Sequence, residues 1–179
     1  SDGSIAMFRP KIAVLNNVSL DHKSMDELRA LFAGFIGHAQ TAVLNLDHEE
    51  TARLSAARTD GKIVYSLCDK GADLYAENIE PQPFGVSFDV VAKDGRAKAS
   101  LKMPGRHNVS NALAAIGAAM ACYQEAVGYT KERAVQGGCL AAKHLTQEKL
   151  VMMLTEITKA QLVSHQLGRM LDEDRAGPL

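Results

Sequence analysis

Three short apolar runs, KIAVLNNV (Lys11–Val18), TAVLNLD (Thr41–Asp47) and KIVYSLC (Lys62–Cys68), are separated by stretches with helical periodicity. Strands that follow one another only after a helix do not pair as hairpins, so the alternation predicts a parallel sheet built by right-handed crossovers. Between the first two runs, Ser24 and Glu27 form a capping box, and Leu28, Leu31, Phe32 and Phe35 recur at i, i+3, i+4 and i+7. That spacing predicts an amphipathic helix over 24–37. A second helix is expected from His48 to Ala57.

The pattern then changes. Between Glu77 and Met103, VSFDVVA and AKASLKM alternate apolar and polar residues around Asp94-Gly95, which predicts a small antiparallel hairpin sheet. From Asn108 onward the period is helical: Val109, Ala112, Leu113, Ile116, Met120 and Tyr123 form one stripe, and Gly137-Gly138 marks a turn between two helices. The last helix is expected from roughly Thr146 to Asp174, about 40 Å long at 1.5 Å per residue, with Gly177 and Pro178 stopping it. The expected fold class is α/β: a mostly parallel sheet with flanking helices plus a small antiparallel hairpin sheet, followed by a C-terminal helical hairpin.

Composition narrows the function classes. With 46% hydrophobic and 23% charged residues, the 179-residue chain has the make-up of a folded globular domain, or of one domain with an appendage. Twenty basic against 21 acidic residues leave no electrostatic footprint for nucleic acid. The longest apolar-leaning stretch, Ala112 to Cys122, is well short of the roughly 20 residues that span a bilayer, so no membrane partner is expected. Three scattered cysteines without a C-x-x-C pair, and no signal pattern, predict a reduced, cytoplasmic protein.

Two segments carry polar chemistry. NNVSLDHKS (Asn16–Ser24) follows the first strand, at the carboxyl end where open α/β sheets place their ligands. Its Asp21-His22 pair suits a divalent ion on a phosphate ligand, or is a solvated loop. MPGRHNVSNALAA (Met103–Ala115) opens the long helix and sets Asn108 and Asn111 three apart on one face. One amide can cap the helix while the other presents a donor and an acceptor to a planar heterocycle. Capping suffices to explain Asn108 but not Asn111. His38, His48, His144 and His165 read as surface or helix-lining residues, and Cys68 as a small buried hydrophobe.

SDGS, the strand plus NNVSLDHKS, LNLD, and GRHNVSNALAA occur in that order. On these segments residues 1–121 resemble the central domain of the Mur ligase family, ATP-dependent amide-bond-forming enzymes of peptidoglycan synthesis related to folylpolyglutamate and cyanophycin synthetases. The resemblance implies a sheet that binds ATP while a carboxylate is converted to an acyl phosphate, which an amino group then displaces. It implies His22 as a ligand of magnesium (Mg2+), Asn108 and Asn111 at the adenine, and His107 flanking the base. The sequence also departs from the family. None of its 14 glycines heads a G-x-x-x-x-G-K phosphate loop. Arg29 stands where several members carry a lysine that becomes a carbamoylated metal ligand, and the family's acidic metal ligand would precede Ser1.

From about Cys122 the chain resembles instead the carboxyl-terminal helical bundle of acyl-CoA dehydrogenases, nearest the glutaryl-CoA type, over TKER and LTQEKLVMMLTEITKAQ. That resemblance places Arg133 toward a flavin adenine dinucleotide (FAD), but Gly137 stands where the family has an aromatic ring, and the catalytic glutamate and earlier flavin-binding domains are lacking. FAD is therefore not expected. The expected organisation is residues 1–121 as a Mur-type domain and 122–179 as a helical segment, joined within one helix. The expected function is that of an ATP-dependent ligase by lineage, incomplete and weak or inactive within these residues. The alternatives are a catalytically empty chimeric scaffold and, third, a fragment of a flavin-dependent dehydrogenase. The expected partner is an adenine nucleotide, with self-association through the apolar stripe of the last helix.

Overall fold

The structure is a computed structural model and describes residues 4–20, 23–93 and 95–157. Strands β1 (Ile12–Leu15), β2 (Thr41–Asn45) and β3 (Lys62–Ser66) lie side by side and parallel, with α1 (Met25–Gly37) and α2 (Glu49–Ala57) as their crossovers. Each crossover advances one strand in the same direction, so a right-handed path puts both helices on one face of the sheet. On that face Ala13, Leu15, Ala42 and Leu44 are buried with Leu28 and Ile36 of α1, and Phe32, Phe35 and Leu54 close the cluster. The capping box at Ser24 and Glu27 forms in both directions, and α1 spans the helix the spacing predicts.

The strands are shorter than their apolar runs. β1 stops at Leu15 and β3 at Ser66, because the following residues turn their backbone groups to side-chain partners instead of the ladder. β4 (Leu74–Gln82) escaped the sequence reading, since Glu77, Asn78, Glu80 and Pro81 blur its alternation. It pairs parallel with β3 although only residues 67–73 separate the two. The short link suffices because Tyr65 and Ser66 alone pair with Leu74 and Tyr75, so β4 starts where β3 ends and runs on past it. β5 (Gly85–Ala92) and β6 (Gly95–Leu101) then return antiparallel. The hairpin expected from the sequence is thus present and joins the parallel strands through β4 in one sheet ordered β1 to β6. Asp94, at its turn, lies outside the described residues.

The sheet's other face is covered by α3 (Arg106–Glu132), which begins two residues before Asn108. Val109, Leu113, Ala114 and Ala121 pack on Val43, Ile63, Tyr65, Leu74 and Phe88. At the closest approach the helix presents Gly117, where an added Cβ would sit 2.8 Å from Val43 Cγ1. Beyond Ala121 the one buried residue of α3 is Thr130, and Glu125 reaches Lys11 at the start of β1 with an N–O distance of 2.5 Å. The helix runs unbroken through the segment where the two sequence resemblances meet. The Gly137-Gly138 turn forms a two-stranded hairpin, β7 (Ala134–Val135) and β8 (Gly138–Cys139), and a helix follows from 144 to 157. The remainder of the expected last helix, to Asp174, and His165 fall outside the described residues. Along 144–157, Leu145, Val151, Met152 and Leu154 are exposed. Among the described residues no helix is long and apolar enough to cross a membrane.

Arg29 ties the two crossover helices together. Its guanidinium donates to both oxygens of Glu50, at 2.7 and 2.6 Å, and to Asp26 at 2.9 Å. Glu50 is 7% exposed in the first turn of α2, where a carboxylate also meets the positive end of the helix. The arginine that cannot be carbamoylated therefore serves as an inter-helix fork.

Two expected outcomes test this packing. Gly117→Leu places a branched side chain against Val43 and Leu74, and denaturant unfolding is expected to show a loss of about 1–3 kcal/mol. The hydrogen bonds from Arg29 hold the Glu50 carboxyl below the usual glutamate range. Its contribution is therefore full above the ordinary value of about 4.3 and is lost as pH falls through the lowered folded value. Glu50→Gln is expected to unfold more readily at neutral pH and to show a shallower loss of stability on acidification than the parent chain.

Candidate functional site

The carboxyl ends of β1, β2 and β3 and the amino end of α3 converge, and side chains rather than backbone ladders hold them. Asn45, ending β2, donates from Nδ2 to Asn16 O at 3.0 Å and accepts at Oδ1 from Asp47 N at 2.9 Å, so both ends of its amide are engaged. Thr51 of α2 donates to Asn45 O. Asp47 in turn fixes the exit from β3: one oxygen accepts from Ser66 Oγ at 2.5 Å and the other from Leu67 N at 2.7 Å. Ser66 is fully buried, and its hydroxyl also accepts from Cys68 N and Asp69 N at 2.9 and 2.8 Å. The carboxylate and hydroxyl at this spot are thus occupied in shaping the loops.

Toward α3 the network changes character. Tyr65 is 0% exposed under the helix, and its hydroxyl donates to Asn16 Oδ1 at 3.0 Å. Asn16 Nδ2 donates to Asn111 Oδ1 at 3.2 Å. Burial pushes the Tyr65 hydroxyl up to about 12, against the pull of its hydrogen bond with Ser110. Asn111 is exposed, and its own Nδ2 makes no hydrogen bond among the described residues.

Asn108 is placed differently from the capping residue suggested by the sequence. The cap position is Gly105, with φ 107°, and Asn108 lies inside the first turn. Its Nδ2 donates back to Pro104 O at 2.9 Å, an interaction that closes the loop rather than filling a helix-end donor. His107 is exposed beside Gly105, where a Cβ would lie 2.6 Å from His107 Cε1. The left-handed φ demands glycine there, whereas the exposed imidazole could turn aside. Arg106 points a guanidinium nitrogen at Cys68 Sγ, 3.9 Å away; Cys68 is exposed, contrary to the buried hydrophobe expected.

Of the residues assigned from the sequence, His107, Asn108 and Asn111 share one helix start. Asp21 and His22 fall outside the described residues. Among the described residues no group of three or more His, Cys, Asp or Glu side chains is placed to hold a metal ion. The Asn111 amide, whose nitrogen makes no hydrogen bond among the described residues, lies four residues along α3 from the exposed His107 imidazole, a donor and acceptor beside a ring of the kind that suits a planar heterocycle. His38 caps the end of α1 and is exposed, His144 is exposed, and His48 starts α2 with Nδ1 buried and unpartnered among the described residues. Arg133 is exposed at the end of α3, and Gly137 sits in the β7–β8 turn. Tyr65 and Asn16 were missed as site residues. Tyr65 reads as a strand hydrophobe, and the signal was its place one residue from the carboxyl end of a parallel strand.

Residues 2–119 match the family model of the Mur ligase middle domain, and residues 103–178 match that of the acyl-CoA dehydrogenase C-terminal domain. The UDP-N-acetylmuramate--L-alanine ligase of Rhizorhabdus wittichii is 38% identical over 133 residues, covering 67% of this chain and 28% of that protein. The enzyme of the same name from Acaryochloris marina is 38% identical over 125 residues, covering 65% and 26%. Among solved structures, the UDP-N-acetylmuramoylalanyl-D-glutamyl-2,6-diaminopimelate--D-alanyl-D-alanyl ligase of Acinetobacter baumannii matches with a TM-score of 0.56 at 25% identity, over 66% of this chain and 27% of that one. The chain therefore spans about a quarter of the length of the curated relatives it matches. Its sheet, its crossover helices and the start of its long helix are those of a Mur ligase middle domain, and the chain belongs to that ligase family.

Proposed function

We propose that this chain is the adenine-holding part of an ATP-dependent ligase of the Mur type. The observation that carries the reading is Asn111, held by Asn16 at the strand ends with its amide nitrogen making no hydrogen bond among the described residues and His107 exposed near it. Asn111 reads the base edge, His107 flanks the ring, and Asn108 offers its carbonyl oxygen while its nitrogen holds Pro104 O. When bound, ATP supplies the phosphoryl group that activates a carboxylate for attack by an amine. The names of the relatives point to UDP-N-acetylmuramate and L-alanine as that pair. His22 is assigned to the magnesium that accompanies the phosphates, and no step of the reaction is derived through it.

A second reading, a folded chimera without turnover, has its own support. Burial of α3 against the sheet ends at Ala121, and the two family matches overlap over 103–119, from just before that helix to its middle. On this reading 1–121 and 122–179 are separate units sharing one helix. Self-association belongs with either reading, because Leu145, Val151, Met152 and Leu154 are exposed apolar side chains along 144–157. Sedimentation velocity over a concentration series is expected to show a dimer or larger species that Met152→Glu weakens; a strictly monomeric parent chain at high concentration would remove this part of the proposal.

Thermal unfolding with and without ATP and magnesium separates the two readings. A nucleotide at a hundred times its dissociation constant adds about 2.7 kcal/mol, several degrees for a domain of this size. The expected result is one cooperative transition that rises with ATP, with Asn111→Ala abolishing the rise with or without metal and His22→Ala removing only the magnesium-dependent part. A cooperative transition that ATP leaves unmoved favours the scaffold.

A further inference from the structure

The hydrogen bonds behind Asn111 form a chain with a direction. Tyr65 has a single hydroxyl hydrogen and donates it to Asn16 Oδ1. That engages the carbonyl end of the Asn16 amide and turns its Nδ2 toward α3, where it donates to Asn111 Oδ1. An amide side chain carries donors at one end and acceptors at the other, so fixing one end fixes what the other can offer. With Oδ1 facing Asn16, Asn111 presents its Nδ2 donors outward and keeps one lone pair on Oδ1. Turned the other way, it would put Oδ1 where Nδ2 now stands, so donor and acceptor would change places on the open side.

Only the first of these orders fits adenine. An outward donor beside an acceptor lone pair matches the N7 acceptor and N6 amino donor of adenine, the bidentate pairing that asparagine makes with that base elsewhere. A 6-oxo purine puts an acceptor where the amino group would be, opposite the Asn111 oxygen, and two facing acceptors leave a polar group unpaired. We infer that Tyr65 and Asn16 are positioning residues that set the polarity of the Asn111 amide and thereby make the site prefer a 6-amino over a 6-oxo purine nucleotide. The inference rests on the adenine reading of Asn111 for its ligand, but the orientation of the amide is a property of the protein alone. Tyr65 suits the role because its ring is fixed in the core between the sheet and α3, while its hydroxyl remains protonated far above neutral pH.

Two readouts on the full chain test this. Tyr65→Phe keeps the ring and removes the donor, and Asn16→Ser breaks the middle link at a half-buried position. In the absence of nucleotide, the side-chain amide resonances of Asn111 in a nitrogen-correlated NMR spectrum are expected to shift in both variants, with backbone resonances of β1 and β2 unmoved. In calorimetric titrations with ATP and ITP, the parent chain is expected to prefer ATP, and both variants to narrow the ATP/ITP ratio about tenfold, as one lost hydrogen bond allows. A merely structural role would lower both affinities together and leave the ratio alone. Unchanged Asn111 resonances, or an unchanged ratio while Asn111→Ala still abolishes ATP binding, overturns the positioning role and leaves the adenine reading standing. Shifted resonances with a parent chain that binds neither nucleotide overturn the adenine reading and the purine selection, while the amide orientation stands.

Discussion

The approach of α3 to the sheet at Gly117 governs how the rest of the molecule is arranged. A helix lies this near a sheet only where it shows no side chain, and a Cβ at that position would press into Val43 at the middle of β2. With the contact made there, Leu113, Ala114 and Val109 fall in turn on the strands toward the carboxyl ends, and the amino terminus of α3 arrives over the residues that leave β1 and β3. The distance from Gly117 to Asn111 along the helix is about 9 Å at 1.5 Å per residue. The packing of one small residue therefore fixes where the exposed amide of Asn111 stands.

What surrounds that amide is polar but orderly. Asn45, Asp47, Ser66 and Thr51 satisfy the backbone groups that the strands release when they stop pairing, and each has its capacity used within the loops. Buried backbone donors need such partners, and supplying them from side chains allows β1, β2 and β3 to end abruptly at one level. Asn111 differs from these residues in having a donor left over among the described residues. A scaffold that saturates its own loops and leaves one amide half-engaged at the strand ends concentrates its capacity for recognition at that point.

Much of this order was legible in the sequence. The capping box at Ser24 and Glu27 and the alternation of apolar runs with helical stripes gave the parallel half, since local chemistry and burial there ask for the same structure. β4 was not legible, because its register breaks between Glu77 and Glu80, with Asn78 at a φ of 50° donating to Asp89. Its Glu77 faces Asp89 across the strands, and Arg96, at 3.1 and 2.6 Å, together with Lys70, 2.5 Å from Glu77, neutralises the pair. A strand held by such cross-strand charges looks like a loop when read alone. The site was half legible for a similar reason: Asn108 and Asn111 are visible as a pair in one helix turn, whereas Tyr65 and Asn16 become partners of Asn111 only through contacts between β1, β3 and α3.

The carboxyl-terminal third follows another logic. α3 needs its stripe against the sheet only as far as Ala121; beyond it, Lys11–Glu125 is an ion pair with the lysine largely exposed, of a kind that contributes little. The helix at 144–157 returns toward the antiparallel strands, where Ile157 helps line an apolar cavity of about 470 Å³ with Phe88, Val90, Leu101 and Ile116. The two buried clusters of the α/β layers take no residue beyond Ala121 among the described residues, so the helix at 144–157 meets the sheet and α3 only at their rim, through Ile157 at this cavity, and its packing is separate from the core that holds the strands together.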